Sequence, residues 1–261
     1  MVVRKGTSNV IARLLPSRRR TASPGASLPE GVRVYAVGDV HGRQDLLEEL
    51  IARIDEDSGR RGPAETSLIF LGDLVDRGPA SAAVVEHLRL LAESRPRVRV
   101  LMGNHEEIFL GALDGEPKAL RLFCRIGGRE TVLSYGLPPD QYEQFNYEDL
   151  AQWLEQHVPA AHHAFVAGFE HMIEIGDYLF VHAGIRPGVP LSEQRPSDLR
   201  WIREPFLDHR GKLARMVVHG HTIVPEVEFR PHRIGIDTGA YNSGRLTALG
   251  LEGDATWLVQ T

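Results

Sequence analysis

Six residues that can bind metal ions follow short apolar segments of the chain. Three carry oxygen donors and three carry imidazoles: Asp39, Asp73, Asn104, His41, His182 and His221. This mixture suits Mn, Fe, Zn or Co better than Ca or Mg. Six ligands exceed the four of a tetrahedral zinc site, whereas two ions that share one carboxylate would use all six. Paired ions about 3.5–4 Å apart clamp the attacking and leaving oxygens of a phosphoryl transfer, so the set predicts phosphoester hydrolysis.

The spacing around these candidates adds groups that could act on a phosphate. Asp39 and His41 are two residues apart, so an extended backbone directs both side chains the same way. The glycines beside them allow the backbone to approach an ion closely. Further along, Asp76 and Arg77 follow the second carboxylate, and the guanidinium can form paired hydrogen bonds with phosphate oxygens. His105 follows the candidate amide ligand and can donate a proton.

The segments before the candidate ligands have the length and composition of strands. They are Arg33–Val37, Ser67–Leu71, Val98–Met102, Tyr178–Val181 and Met216–Val218. Apolar residues recur near a 3.6-residue period in Asp45–Ile54 and Ser81–Glu93, which predicts helices. Alternating strands and helices indicate a largely parallel sheet, which binds ligands at the carboxyl ends of its strands. One glycine and aspartate after a strand is usually a turn, but five such strand ends indicate a common site.

The rest of the sequence indicates a second sheet and a helical insert. Further strand-like segments occur at Val227–Arg230, Arg233–Ile236 and Leu246–Leu251, so a second sheet is expected to pack on the first. Residues 107–165 are expected to form a helical insert at one edge of the site. We expect residues 30–261 to form one domain.

Charge separates a basic N-terminal part from an acidic remainder. Residues 1–29 hold six Arg or Lys residues and no acid, so the remainder has 24 cations, 35 acids and a net charge of −11. Proline and glycine interrupt the basic part, which predicts a disordered tail; a targeting peptide is the alternative. The acidic remainder argues against nonspecific binding of nucleic acid.

The composition is that of a globular protein without a membrane helix. Hydrophobic residues make up 42% and charged residues 25% of the chain, as in ordinary globular proteins. Cys124 is the single cysteine, which fits a reducing compartment, and we expect a cytoplasmic location. No apolar run approaches the roughly 20 residues of a membrane helix, so no contact with a membrane is expected.

Five segments of the sequence resemble the motifs of the calcineurin-like metallophosphoesterases. The matching segments are GDVHG at 38–42, GDLVDRG at 72–78, GNHE at 103–106, HAG at 182–184 and GHT at 220–222. The second and third forms are similar to those of the phosphoprotein phosphatase branch. Arg203 resembles a second arginine of its bacterial and phage members, and Asp237 begins a similar Asp-Thr-Gly sequence.

This resemblance implies an α/β fold: a four-layer αββα sandwich of two mixed β-sheets flanked by helices. It also implies two divalent ions, with Mn²⁺ expected and Fe, Zn or Co as alternatives. One ion would be held by Asp39, His41 and Asp73, and the other by Asp73, Asn104, His182 and His221. A hydroxide held between the ions would attack the phosphorus atom.

Four further residues acquire roles from the resemblance. Arg77 and Arg203 would stabilise the developing phosphate charge. His105 would protonate the leaving oxygen and Asp76 would orient it. His219 remains ambiguous, because related phosphoesterases outside the branch use Gly-His-x-His with both histidines as ligands. In this sequence a valine, and not a glycine, precedes His219. His219 is therefore expected to be a structural residue beside the ligand His221.

Three functions compete. A serine/threonine protein phosphatase acting on phosphoproteins or phosphopeptides is expected, because Asp76 completes the pair that orients the acid. The alternative is a symmetrical diadenosine tetraphosphate hydrolase, which shares nearly all the motifs but typically carries a different residue at the Asp76 position. A non-catalytic scaffold is the third, although such scaffolds usually lose metal ligands or the proton donor.

Overall fold

The computed structural model describes residues 20–21 and 25–261, which form two mixed β-sheets with helices around them. The strands are β1 (Arg20–Thr21), β2 (Val32–Val37), β3 (Glu65–Phe70), β4 (Val98–Val100), β5 (Met172–Ile175), β6 (Tyr178–Val181), β7 (Met216–His219), β8 (Glu228–Phe229), β9 (Arg233–Gly235), β10 (Thr247–Glu252) and β11 (Ala255–Gln260). The first sheet has the order β1-β11-β10-β2-β3-β4 and the second β5-β6-β7-β9-β8. Strands β2, β3 and β4 run parallel, as do β6, β7 and β9.

Ten α-helices occur in the described part of the chain. They are α1 (Gln44–Arg61), α2 (Ser81–Ser94), α3 (Asn104–Leu113), α4 (Pro117–Ile126), α5 (Gly128–Ser134), α6 (Pro139–Tyr142), α7 (Tyr147–His157), α8 (Ala160–Ala167), α9 (Pro196–Trp201) and α10 (Ala240–Ser243). A short 3₁₀ helix, Leu191–Glu193, precedes α9. Helices α3–α8 lie between β4 and β5, where the sequence predicts a helical insert. None of the described helices has both the length and the apolar character needed to cross a membrane.

The period-two pattern of the strands builds the layers. In β2, Val34 and Ala36 contact the second sheet, whereas Tyr35 and Val37 pack against helices. Both faces of this strand are therefore buried, as expected for a central parallel strand. A third apolar cluster, which includes Val181, packs the outer face of the second sheet against α9 and the loop after it. The predicted fold class, an α/β sandwich of two mixed sheets, is confirmed.

Two parts of the predicted organisation differ in detail. Segment Leu246–Leu251 was expected near the second sheet, but β10 lies in the first sheet between β2 and β11. A hairpin with β11 and antiparallel pairing with β2 place it there. Residues 25–29 were expected in the tail, yet Leu28 is 4% exposed and its N–H donates to the carbonyl of Gly253 at 2.9 Å. Residues 1–19 and 22–24 lie outside the described residues, and their predicted disorder stays a prediction.

A partly buried carboxylate joins α1 to the first sheet. Asp57 Oδ2 accepts hydrogen bonds from Tyr35 Oη at 2.7 Å, Trp257 Nε1 at 2.8 Å and Arg61 Nε at 2.8 Å. Tyr35 and Trp257 are almost fully buried, so their polar atoms depend on this one acceptor. Asp57 therefore connects β2 and β11 through the helix that covers them.

We expect Asp57→Ala to lower the free energy of unfolding by at least about 2 kcal/mol, because two buried donors lose their acceptor. Urea denaturation followed by circular dichroism measures this change. Asp55→Ala is the matched control on the same helix, since its ion pair with Arg95 is exposed and should contribute less than about 1 kcal/mol. Equal losses in the two variants would contradict the role given to Asp57.

Candidate metal centre

The predicted site residues meet at the carboxyl ends of parallel strands in both sheets. The metal-ligand candidates follow β2, β3, β4, β6 and β7: Asp39 and His41 after β2, Asp73 after β3, Asn104 after β4, His182 after β6 and His221 after β7. Five sequence segments thus meet at one place because the two sheets pack face to face. All of these side chains are buried except that of His221, which is partly buried.

The backbone at the site has an uncommon conformation. Among the described non-glycine residues, positive φ occurs at five residues, all from the predicted site: His41, Asp73, Asp76, Arg77 and His221. Such angles cost free energy and are maintained only where the surrounding structure enforces them. Glycine is required beside them: a Cβ on Gly220 would lie 2.1 Å from Asp39 Oδ1, and one on Gly103 would lie 2.3 Å from Asp73 Oδ1.

Asp73 is the common neighbour of the histidines. Its Oδ1 lies 3.3 Å from His182 Nε2, and its Oδ2 lies 3.6 Å from His41 Nε2 and 3.9 Å from His105 Nε2. Two groups in the described part of the chain have the proximity needed to hold an ion, and Asp73 belongs to both. One contains His41 and His105, and the other contains His182 and His221.

Asp39 lies outside both groups in this structure. Its carboxylate accepts the backbone N–H of His221 at 3.1 and 3.2 Å. Burial, Asp237 and Asp73 raise the pKa of Asp39 well above its usual range. Burial likewise raises the pKa of Asp237 to about 6. Ionisation of two neighbouring buried carboxyl groups is unfavourable because their negative charges repel. A cation bound between them would favour the ionised form of both.

The hydrogen-bond chemistry around Asn104 fits a cation. His182 Nδ1 donates to the carbonyl of Leu71 at 2.8 Å, which leaves a lone pair on Nε2. Burial lowers the pKa of His182 and so favours this neutral form. That Nε2 atom nevertheless lies 3.1 Å from Asn104 Oδ1 and 3.3 Å from Asp73 Oδ1, both acceptors. Three acceptor atoms without a proton between them repel one another unless a cation lies among them, so these residues fit a metal ion.

His41 is held in a similar way, whereas His221 faces the site through Nδ1. His41 Nδ1 donates to the carbonyl of Val75 at 2.8 Å, so its Nε2 faces the site. His221 Nδ1 lies 2.8 Å from Asn104 Oδ1. Burial lowers the pKa of each imidazole to about 3, which keeps both neutral. Neutral rings oriented by a second hydrogen bond are the usual form of metal-binding histidine.

A separate chain of hydrogen bonds holds the candidate acid. Asp76 Oδ2 accepts from His105 Nδ1 at 2.6 Å, and Asp76 Oδ1 accepts from Thr131 Oγ1 at 2.6 Å. His105 Nε2 therefore faces the site, where Arg77 Nη2 lies 2.9 Å away. Burial lowers the pKa of His105, but the carboxylates of Asp73 and Asp76 outweigh this effect and raise it overall.

Glu106 belongs to a predicted motif but has a role that the sequence did not indicate. Its carboxylate accepts the backbone N–H groups of Asp73 at 2.8 Å, Leu74 at 2.7 Å, Val75 at 3.2 Å and Gly103 at 3.1 Å. It therefore fixes the loop after β3 to the start of α3. Burial, followed by the charge of Asp73, raises the pKa of Glu106 to about 7.

Two further residues at the site were not predicted as functional. The ring of Tyr241 lies 5.4 Å from that of His41 and 5.0 Å from the guanidinium carbon of Arg77. Thr131 comes from the helical insert and contacts Asp76. No local sequence signal distinguishes either residue, because a tyrosine or a threonine in a short helix is common.

Two predicted residues lie at the edge of the site. Arg203 is exposed, and its charge adds to the effects of burial and His182 that lower the pKa of His221. His219 points elsewhere: its ring contacts Phe206 at 5.2 Å, and its Nε2 lies 3.4 Å from an Arg233 nitrogen. The structure thus brings His221, and not His219, to Asn104.

Comparison with known proteins shows which family the chain belongs to. The sequence model of the calcineurin-like phosphoesterase family matches residues 32–234. The chain is 36% identical over 184 residues to the symmetrical bis(5'-nucleosyl)-tetraphosphatase of Acidovorax sp. strain JS42, which covers 70% of this chain and 51% of that protein. It is 27% identical over 241 residues to the asymmetrical bis(5'-nucleosyl)-tetraphosphatase PrpE of Bacillus thuringiensis strain Al Hakam, covering 82% and 88%. The chain spans about half the length of the symmetrical enzymes it matches.

The fold is similar to that of solved structures. A crystal structure provisionally described as a diadenosine tetraphosphatase has a TM-score of 0.60 and 23% identity, and the match covers 90% of this chain and 98% of that chain. The structure of a cold-active protein tyrosine phosphatase has a TM-score of 0.53 and 19% identity, with coverage of 87% and 77%. These likenesses concern the fold alone. Because the family model spans most of the chain, the protein belongs to the calcineurin-like phosphoesterases.

Proposed function

We propose that the protein is a metal-dependent hydrolase of dinucleoside polyphosphates such as diadenosine tetraphosphate. The observation that carries this proposal is the similarity to symmetrical and asymmetrical bis(5'-nucleosyl)-tetraphosphatases, whose names state this activity. The sequence analysis expected phosphoserine and phosphothreonine in proteins instead. The relatives favour its alternative, and whether cleavage is symmetrical is a question for product analysis.

The pair formed by Asp76 and His105 is compatible with either substrate. It was the main argument for a protein phosphatase, yet a proton donor serves any leaving oxygen that departs with negative charge. In a dinucleoside polyphosphate, water adds to one phosphorus atom and a nucleotide departs with the proton. The pair therefore supports hydrolysis of a phosphoester or anhydride without selecting between them.

The proposed metal ligands are the six residues predicted from the sequence: Asp39, His41, Asp73, Asn104, His182 and His221. Two divalent ions bound there would supply positive charge and lower the pKa of a bound water. Mn²⁺ is proposed, with Fe, Zn or Co as alternatives, because mixed oxygen and imidazole ligands suit these metals. Asp73 is proposed as the shared ligand, since it belongs to both groups of nearby side chains.

The remaining steps belong to side chains of the protein. Arg77 and Arg203 would bind the phosphate oxygens, and Arg77 is held beside the ring of Tyr241. His105 Nε2 lies 2.9 Å from Arg77 Nη2 in this structure; once Arg77 binds the phosphate, a proton on Nε2 would pass to the leaving oxygen, while Asp76 accepts the hydrogen bond from Nδ1 and keeps that orientation. Thr131 and Ser81 fix Asp76 in turn.

Asp73→Asn should remove most of the bound metal and lower kcat by at least about 100-fold, because a shared ligand loses its charge. Metal content measured by mass spectrometry and the rate with diadenosine tetraphosphate test this expectation. The matched control is Asp55→Asn, an exposed residue of α1 whose change should leave both values unaltered. Retention of both metal and rate by a folded Asp73→Asn protein would refute the shared-ligand role.

His105→Asn should lower kcat by about 10²–10⁴-fold for a substrate with a poor leaving group and much less for p-nitrophenyl phosphate. The reason is that nitrophenolate needs little protonation as it departs. Phenyl phosphate and p-nitrophenyl phosphate form a suitable pair, and His163→Asn is the control, since this partly exposed histidine of α8 pairs with Asp114 away from the centre. Equal losses on the two esters would argue against His105 as the acid.

A substrate panel with Mn²⁺ tests the proposed activity itself. Diadenosine tetraphosphate should be hydrolysed with a kcat/KM at least about tenfold above that for a phosphoserine peptide or bis(p-nitrophenyl) phosphate. Chromatography of the products distinguishes two ADP molecules from AMP plus ATP. Hydrolysis of the phosphopeptide alone would return the assignment to a protein phosphatase.

A further inference from the structure

A cavity of about 600 Å³ is lined by residues that include chain neighbours of His221 and Arg203. Its walls come from the loop after α9, from β8 and β9, from the segment after β7, and from His219 at the end of β7, whose ring points away from Asn104. Thr222 and Glu204, which line it, directly follow His221 and Arg203. The cavity therefore begins one residue beyond His221 and one residue beyond Arg203, and a ligand that extends past either residue would approach it.

The lining combines apolar surface with unpartnered polar atoms. Leu207, Val224 and Pro231 supply the apolar part. His232 is 6% exposed, and neither of its ring nitrogens has a hydrogen-bond partner among the described residues. The hydroxyl of Thr222 is also buried without a partner in that part of the chain. Buried polar atoms of this kind are normally satisfied, so they indicate contact with a ligand or with water.

The formal charges of the lining balance. Three arginines and three acids contribute: Arg210, Arg230, Arg233, Glu204, Asp208 and Glu228. Glu228 forms ion pairs with both Arg230 and Arg233. Burial also lowers the pKa of His232, which favours its neutral form. A lining with no net charge and with free hydrogen-bonding atoms suits an uncharged polar molecule better than a further phosphate chain.

We propose that this cavity binds a nucleoside of the substrate, the one joined to the departing phosphates. The inference rests on the proposed function, because it assigns the second half of a dinucleoside polyphosphate. A nucleoside offers an apolar ring face for Leu207, Val224 and Pro231, and donors and acceptors for Thr222 and His232. The volume lies in the range of small-molecule sites in proteins, roughly 300–1,000 Å³. The phosphates would remain at the metal centre, beside His221 and Arg203.

Val224→Trp is the first test, because a large ring at this half-buried position would fill part of the cavity. KM for diadenosine tetraphosphate should rise by about tenfold or more, as for the loss of a well-buried contact, while kcat/KM for p-nitrophenyl phosphate stays unchanged. Leu90→Trp is the matched control, since Leu90 is 49% exposed on α2 and does not line the cavity. An unchanged KM in a folded Val224→Trp protein overturns the inference.

His232→Phe tests the polar contact without closing the cavity. It keeps a ring of similar size and should raise KM for diadenosine tetraphosphate while leaving p-nitrophenyl phosphate turnover unaltered. Calorimetric titration of the Mn²⁺-loaded wild-type protein with adenosine should detect binding that Val224→Trp abolishes. Binding of tripolyphosphate that depends on Val224 in place of adenosine binding would assign the cavity to phosphate and overturn the proposal.

These measurements separate this inference from the proposed function. If the wild type hydrolyses diadenosine tetraphosphate but both variants keep its KM, the cavity assignment fails and the activity stands. If the wild type hydrolyses only p-nitrophenyl phosphate, the proposed activity fails and adenosine titration decides the cavity. Adenosine binding lost in Val224→Trp then supports a nucleoside site, and no binding overturns it.

Discussion

The convergence of acceptor atoms on Asp73 is the constraint on which the rest of the centre depends. Its two oxygens lie 3.3–3.9 Å from Nε2 atoms of three histidines, and two of these rings use their Nδ1 proton on a backbone carbonyl. The lone pair on His182 Nε2 therefore faces the oxygens of Asp73 and Asn104 in a buried space, whereas Arg77 lies 3.0 Å from His41 Nε2 and 2.9 Å from His105 Nε2. Such an arrangement is unfavourable unless a cation binds between the acceptor atoms. The fold therefore favours cation binding at the strand ends.

Glu106 holds the backbone around this arrangement in place. It accepts four backbone N–H groups and so holds a loop in which Asp73, Asp76 and Arg77 have positive φ. Helix α3 begins at this point and supplies Asn104 and His105. One buried carboxylate thus fixes the strained turn and the helix that carries the candidate acid His105, which explains why these groups keep their mutual geometry.

The sequence was sufficient to predict the strands that position the centre, since β2, β3 and β6 have period-two or continuous apolar patterns and end beside candidate ligands. It could not indicate contacts made between distant segments. Thr131 reaches Asp76 across 55 positions, and Tyr241 reaches Arg77 from α10, between β9 and β10. Leu28 was assigned to the tail by the composition around it, although a hydrophobic contact with the sheets buries it.

Selection of the substrate depends on features beyond the metal ligands. The motifs and the pair of Asp76 and His105 describe a centre that cleaves phosphate bonds, and that chemistry is common to enzymes of different specificity. Discrimination must come from surfaces that contact the rest of the substrate. Glu204 and Thr222 of the neutral cavity directly follow Arg203 and His221 at the edge of the centre, so a molecule with phosphates at one end and a nucleoside beyond them is expected to use both. A phosphoserine side chain would leave such a cavity unused, and binding of a nucleoside there would give the proposed activity a physical basis in addition to the similarity to the relatives.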